Sequence, residues 1–201
     1  MELTTIILIG RSGSGKGTQA TLIRNRINLL DREKRQILYV ETGDKFRTFI
    51  RGKSFSAHLS KEIYDQGTLQ PAFLAGLMWG DVLLEELEDN MHLMFDGAPR
   101  SRPEAEMLDT AIRFYKRTRP VVININVGRK WSEARLLARG RMDDTTLAKI
   151  NKRLDWFEKD VVPAIEWYKT NPDYTYIEVN GEQPIEKVHS DIIALYDYDK
   201  N

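Results

Sequence analysis

The stretch Leu8-Ile9-Gly10-Arg11-Ser12-Gly13-Ser14-Gly15-Lys16-Gly17-Thr18-Gln19 decides how this chain is read. It follows the apolar run Ile6 to Ile9 and precedes a helical pattern. A glycine-rich turn between a strand and a helix brings backbone N–H groups close to an anion, and the helix adds its positive N-terminal dipole. Lys16 supplies a mobile cation for terminal phosphates, and a hydroxyl follows at Thr18, one residue later than in G-x-x-x-x-G-K-[ST]. Gly13, Ser14, Gly15, Lys16, Gly17 and Thr18 are therefore expected to cradle the phosphates of a bound nucleotide. A glycine-rich segment alone can be a surface turn. Here strand, loop, lysine, hydroxyl and helix occur in the order that phosphate binding needs.

The 201 residues, 41 % of them hydrophobic, suffice for one core, and residues 1–201 are read as a single domain. Lys plus Arg balances Asp plus Glu at 30 each, which gives no reason to invoke nucleic acid or an anionic membrane as partner. With no cysteine, disulfides, thiol catalysis and a cysteine-type zinc site are excluded. His58, His92 and His189 lie far apart and read as ordinary core or surface residues. The first apolar run is too short for a signal peptide, and no stretch approaches the roughly 20 apolar residues of a membrane span. A soluble, cytoplasmic enzyme is expected, and a monomer, since no sustained heptad pattern occurs.

Runs rich in β-branched residues at 5–9, 37–40, 92–95, 121–127 and 174–179 alternate with helical patterns, which predicts a doubly wound α/β fold with a parallel sheet covered on both faces. Ligands then gather at the carboxyl ends of the strands. The first strand ends at the glycine-rich loop, the second at Glu41-Thr42-Gly43-Asp44 and the third at Asp96-Gly97-Ala98-Pro99-Arg100. Helical stretches near 44–51, 56–66 and 70–89 separate the second and third strands, more than one crossover needs, so 42–72 reads as a small helical insertion. Asp96, at a strand end opposite the phosphate loop, suits magnesium held through its water shell, and Asp44 is a second candidate. A helix cap or turn is the alternative role for Asp96.

Gly10 to Gln19, Thr42-Gly43-Asp44-Lys45-Phe46-Arg47, Gly67-Thr68-Leu69, Phe95-Asp96-Gly97-Ala98-Pro99-Arg100 and Arg139-Gly140-Arg141-Met142-Asp143-Asp144 resemble, in order and nearly end to end, the signature segments of adenylate kinases and related nucleoside monophosphate kinases. The resemblance implies a five-stranded parallel core, a monophosphate-binding insertion, a lid, and transfer of the terminal phosphoryl of Mg-ATP to AMP. It implies that Lys16 binds donor phosphates, that Thr42, Arg47, Gly97 and Arg100 bind the acceptor, and that the backbone near Leu69 and Gln70 meets its sugar or base. Arg135, Arg139, Arg141 and Arg153 resemble the family's arginines for donor adenine or the transferred phosphoryl. Arginine suits this chemistry because its planar fork pairs with phosphate oxygens and stays charged. Asp143 and Asp144 would orient arginines or meet the donor ribose, with helix-start roles as the alternative.

Three features depart from the family. Only Gly140 separates Arg139 from Arg141, so the lid, 135–145, is very short, and slow ATP hydrolysis is a possible consequence. The run from Asp144 to Arg153 is one residue longer than in relatives, about 100° of helical rotation. Glu104 stands where adenylate kinases usually carry a glutamine that reads adenine. A carboxylate accepts only, which fits the paired donors of guanine, so GMP competes with AMP as the acceptor; solvent exposure at a helix start is the other reading of Glu104. Phe73, Leu77, Met78 and Trp79 are read as helical core or as an acceptor pocket lining. The rival functions are another small-molecule kinase, a GTPase-like switch, disfavoured because no Asn-Lys-x-Asp motif is present, and a nucleotide-binding module with weak or no transferase activity.

Overall fold

Strand β1 (Thr5–Ile9) takes the centre of the sheet because its residues are buried on both sides, as a run of Thr, Ile and Leu without polar alternation requires. A computed structural model of the chain describes residues 1–140 and 146–196. Beside β1 lie β3 (His92–Asp96) and β4 (Val121–Asn126), and the edges are β2 (Ile37–Glu41) and β5 (Thr175–Asn180). The order is β2-β3-β1-β4-β5 and every pairing is parallel. The doubly wound five-stranded parallel fold is the one expected, with strand ends displaced by a residue or so. Leu8 and Glu41 both register with Asp96, and Ile9 with Asn124, so the carboxyl ends of β1, β2 and β3 finish within a residue of one another and β4 runs two residues past β1.

Alternate residues of β1 feed two cores. Ile7 and Ile9 pack with Phe95, Leu108 and Tyr168 on one face, where α4 (Ala72–Glu86), α5 (Arg102–Phe114) and α8 (Val162–Thr170) lie. Ile6 and Leu8 pack on the other with Ile23 and Ile27 of α1 (Lys16–Leu30) and Val188 and Ile192 of α9 (Ile185–Leu195). At the amino ends, Asp31 accepts hydrogen bonds from the Arg35 backbone (2.8 Å) and guanidinium (2.8 and 3.1 Å) and faces His92 Nε2 at 3.3 Å. The Thr4 N–H donates to His92 Nδ1, so the other ring nitrogen carries the proton toward Asp31.

Between β2 and β3 run α2 (Thr42–Phe49), α3 (Phe55–Asp65) and α4. Ser54 caps α3 by accepting the Ala57 N–H. Phe46, Leu74 and Ala75 form a small separate core, against which Met78 packs. Trp79 is buried edge-on to Phe95, whereas Phe73 and Leu77 are 63 % and 61 % exposed. The two halves of that apolar run thus lie on opposite sides of α4. Neither expected role holds for Phe73 and Leu77, and none of the four lines the central cavity. After β4 come α6 (Arg129–Arg139) and α7 (Leu147–Trp156), which meet through the fully buried Leu136, Ile150 and Leu154, and then a π-helical turn at Phe157–Val161.

Candidate active site

A cavity of about 830 Å³ opens over the carboxyl ends of the strands. One wall is the glycine-rich loop. Gly10 has φ +144°, and a Cβ there would lie 2.6 Å from the Ile125 carbonyl oxygen, so no side chain fits where the loop crosses β4. Lys16 Nζ donates to the carbonyls of Gly10 (2.7 Å) and Arg11 (2.8 Å), which holds the ammonium across the mouth of the loop. Burial lowers its pKa to about 8; Asp96 opposes the shift, and the guanidiniums of Arg100, Arg139 and Arg153 add to it. Gly13, Gly15, Gly17 and Thr18 also line the cavity. Ser14 does not; its hydroxyl is buried without a hydrogen-bond partner among the described residues.

Across the cavity, Arg47 projects from the last turn of α2 and Arg100 from the loop after β3. Both guanidiniums approach Gly43: a Cβ there would lie 3.2 Å from Arg47 and 3.5 Å from Arg100. The Arg100 Nε donates to the Gly97 carbonyl at 2.6 Å. Gly97 has φ +78°, and a Cβ on it would come within 3.0 Å of Arg100 Nη2, so this corner demands glycine. Arg47 donates to Glu41 (2.8 Å) and Asp44 (3.2 Å). Leu69 and Gln70 line the cavity, with the Gln70 amide folded back onto Ser60. Thr42 is 2 % exposed, off the cavity wall, and its buried hydroxyl has no partner among the described residues.

Arg135, Arg139 and Arg153 complete the cationic lining. Arg135 lies over Trp131 at 5.1 Å. Despite the extra residue before it, Arg153 faces the cavity, close enough to Arg100 to help depress that group's pKa, though burial is the larger cause. Arg141, Asp143 and Asp144 lie outside the described residues.

Asp44 and Glu104 also meet a different placement. Asp44 does not line the cavity; its exposed carboxylate is drawn to Arg47. Glu104 is only 2 % exposed, which rules out the solvent-facing role, and it is not on the cavity wall either. Its carboxylate accepts the Arg100 N–H at 2.7 Å and the Trp79 indole N–H at 3.2 Å. Burial pushes its pKa up, opposed by those donors and by the Arg100 charge.

Sequence reasoning missed Arg24, Tyr39, Glu41 and Trp156, all on the wall. Gly17, Thr21 and Arg24 recur at helical spacing along α1, and Tyr39 and Glu41 share a face of β2, so the periodicities carried the signal. Among the described residues, no group of three or more His, Asp or Glu stands close enough to hold a metal ion directly. The oxygen donors at the cavity, Asp96 and the Thr18 hydroxyl, fit a hard cation that keeps most of its waters.

A strand-end cradle with a lysine, facing arginines across one cavity, brings together the residue types that phosphoryl transfer uses. Comparison with known proteins agrees. The adenylate kinase family profile matches residues 8–172. An adenylate kinase of Flavobacterium psychrophilum is 30% identical over 193 residues, 92% of this chain and 94% of its own length. One of Bacteroides fragilis is 31% identical, covering 97% of this chain and 99% of its own, and one of Azobacteroides pseudotrichonymphae is 28% identical, covering 97% and 98%. The chain belongs to the adenylate kinase family and is a phosphotransferase that phosphorylates nucleoside monophosphates.

Proposed function

We propose that the enzyme transfers the terminal phosphoryl of ATP to AMP, forming two ADP, with magnesium as the cofactor. The observation that carries this reading is the convergence of Lys16, Arg47, Arg100, Arg139 and Arg153 on one cavity. Phosphoryl transfer spreads negative charge over the transferring oxygens, and preorganised cations stabilise that charge better than water does. In this reading the loop N–H groups and Lys16 hold the donor phosphates, and Arg47 and Arg100 hold the acceptor phosphate. Arg139 and Arg153 reach the transferred group, and Arg135 lies toward the donor base. The Thr42 hydroxyl is buried off the cavity wall with no partner among the described residues, so its assignment to the acceptor rests on the family resemblance. Asp96 and Thr18 would hold the cation, and magnesium bound with ATP supplies further neutralisation of phosphate charge.

AMP is favoured over GMP because the residue that argued for guanine is engaged elsewhere: both oxygens of Glu104 already accept protein donors. The relatives' shared name, adenylate kinase, points the same way. Residues 42–72 serve in this reading as the acceptor-binding insertion and 135–145 as a reduced lid. In this reading the enzyme is a cytoplasmic monomer; no helix among the described residues is long and apolar enough to cross a membrane.

The test is diphosphate formation from ATP and magnesium with AMP, GMP, CMP or UMP, against a control lacking acceptor. Rapid ADP formation with AMP is expected. Preference for GMP would overturn the acceptor assignment. Nucleotide binding with no transfer to any acceptor would overturn the kinase reading in favour of a binding module.

A further inference from the structure

Asp96 is not left to choose its own orientation. The Tyr39 hydroxyl donates to its Oδ2 at 2.8 Å, and Oδ1 accepts no hydrogen bond from the described residues. The contact follows from strand register. Glu41 pairs with Asp96 across β2 and β3, so Tyr39, two residues earlier on the same face, lies diagonal to Asp96 at a distance a phenol can span. A third element fixes the ring: the Arg24 guanidinium of α1 lies 4.7 Å from the Tyr39 centroid, a cation–π contact. All three side chains border the cavity, and a Cβ at Gly17 would lie 3.6 Å from the same Oδ2. Burial and the Asp96 charge push the phenol's pKa up, so it remains a proton donor at any working pH.

We infer that Tyr39 is a positioning residue for Asp96, with Arg24 as its brace: the phenol occupies one carboxylate oxygen and leaves the other for the water shell of the nucleotide-bound cation. The inference rests on the magnesium-dependent kinase reading. A carboxylate that acts through water gains most from being aimed, because water ligands transmit orientation without imposing it.

The experiment measures retention of Mn²⁺, as a probe for magnesium, by the protein–ATP complex, reading free Mn²⁺ by electron paramagnetic resonance. Tyr39→Phe keeps the ring under Arg24 and removes only the hydroxyl. It should weaken Mn²⁺ retention by about tenfold, at the low end for loss of a partner that orients a ligand. Arg24→Met should weaken it less. In an Asp96→Asn background, Tyr39→Phe should cause no further loss, which a general structural effect would not produce. In turnover, Tyr39→Phe should raise the magnesium concentration for half-maximal rate and leave kcat near wild type at saturation. Unchanged Mn²⁺ retention in Tyr39→Phe, or an equal loss in the Asp96→Asn background, would overturn the inference. Because Mn²⁺ retention needs no turnover, a protein that transfers no phosphoryl yet shows this dependence would refute the kinase reading and leave the positioning role standing.

Discussion

Lys16 makes nucleotide binding a proton-uptake reaction above pH 8. Its ammonium is held against two carbonyls in a cavity crowded with guanidiniums, and its pKa falls from 10.5 to about 8. A bound triphosphate brings negative charge to the same place and returns the lysine to its charged form. Well below pH 8 the lysine is protonated with or without nucleotide, so few protons move. Above it the free protein is neutral at this position and the complex is cationic. With a bound pKa at or above the ordinary value, linkage gives uptake of about 0.1 proton at pH 7 and about 0.9 at pH 9, and an affinity loss of about tenfold between them. Titration calorimetry in two buffers of different ionisation enthalpy measures the uptake directly. Lys16→Arg, which stays charged throughout, should abolish the pH 9 uptake. Equal uptake in both proteins, or none in the wild type, would refute the argument. Without nucleotide the sign reverses: a lysine with a depressed folded-state pKa weakens the fold while charged, so Lys16 should allow stability to rise from pH 8 toward 10.5.

Three other outcomes follow from the contacts described. Glu104→Gln places an amide where one oxygen accepts a backbone N–H and the other an indole N–H; one donor is left facing another, costing about 1–3 kcal/mol in a denaturant titration. Its AMP-to-GMP preference should equal that of the wild type, and a changed preference would restore Glu104 as a base reader. Asp31→Ala leaves Arg35 and His92 facing an empty buried site and should cost about 3–5 kcal/mol near neutral pH. Arg35 holds the Asp31 carboxyl below its ordinary 3.8, so this stability is present above that value and the gap between variant and wild type should narrow as pH falls through it. Arg100→Ala should lower kcat by about 10²-fold or more, as loss of one preorganised donor to developing charge does, with chemical denaturation showing a folded protein; near-full turnover would remove Arg100 from the chemistry.

What was legible in the sequence was whatever local order encodes. The strand runs, the Gly10 to Thr18 cradle and the three strand-end motifs needed only spacing and residue type, so their gathering on one edge followed once the sheet was read as parallel. Glu104 was misread because its environment is set at long range: Trp79, 25 positions earlier, reaches its carboxylate only through the packing of α4 on α5. Tyr39 escaped because a phenol in a β-strand gives no chemical signal until the register with β3 sets it diagonal to Asp96. Phe73 and Leu77 were misplaced for a related reason. The run they belong to is apolar nearly all round, and only the position of the sheet decides which side of α4 is buried.

If residues 135–145 serve as a reduced lid, as proposed, the donor side does not rest on it alone. Arg135 and Arg139 are presented by α6 and Arg153 by α7, and these helices lock together through Leu136, Ile150 and Leu154, none of them exposed. Gly140 ends α6 in a left-handed conformation, and the Thr146 hydroxyl caps α7 by accepting the Lys149 N–H, so both helices have their own terminal signals. The positions of these arginines therefore rest on a buried helix pair. On the acceptor side Arg47 depends on α2, anchored by the smaller cluster of Phe46, Leu74 and Ala75. Removing apolar contacts at Phe46 should thus weaken acceptor binding at small cost to the main core, whereas loss of Leu154 should damage donor-side geometry and the fold together. We propose that a lid as short as 135–145 forfeits cover: water is excluded only by atoms that stand in its way, so a measurable rate without acceptor, relative to transfer, is expected.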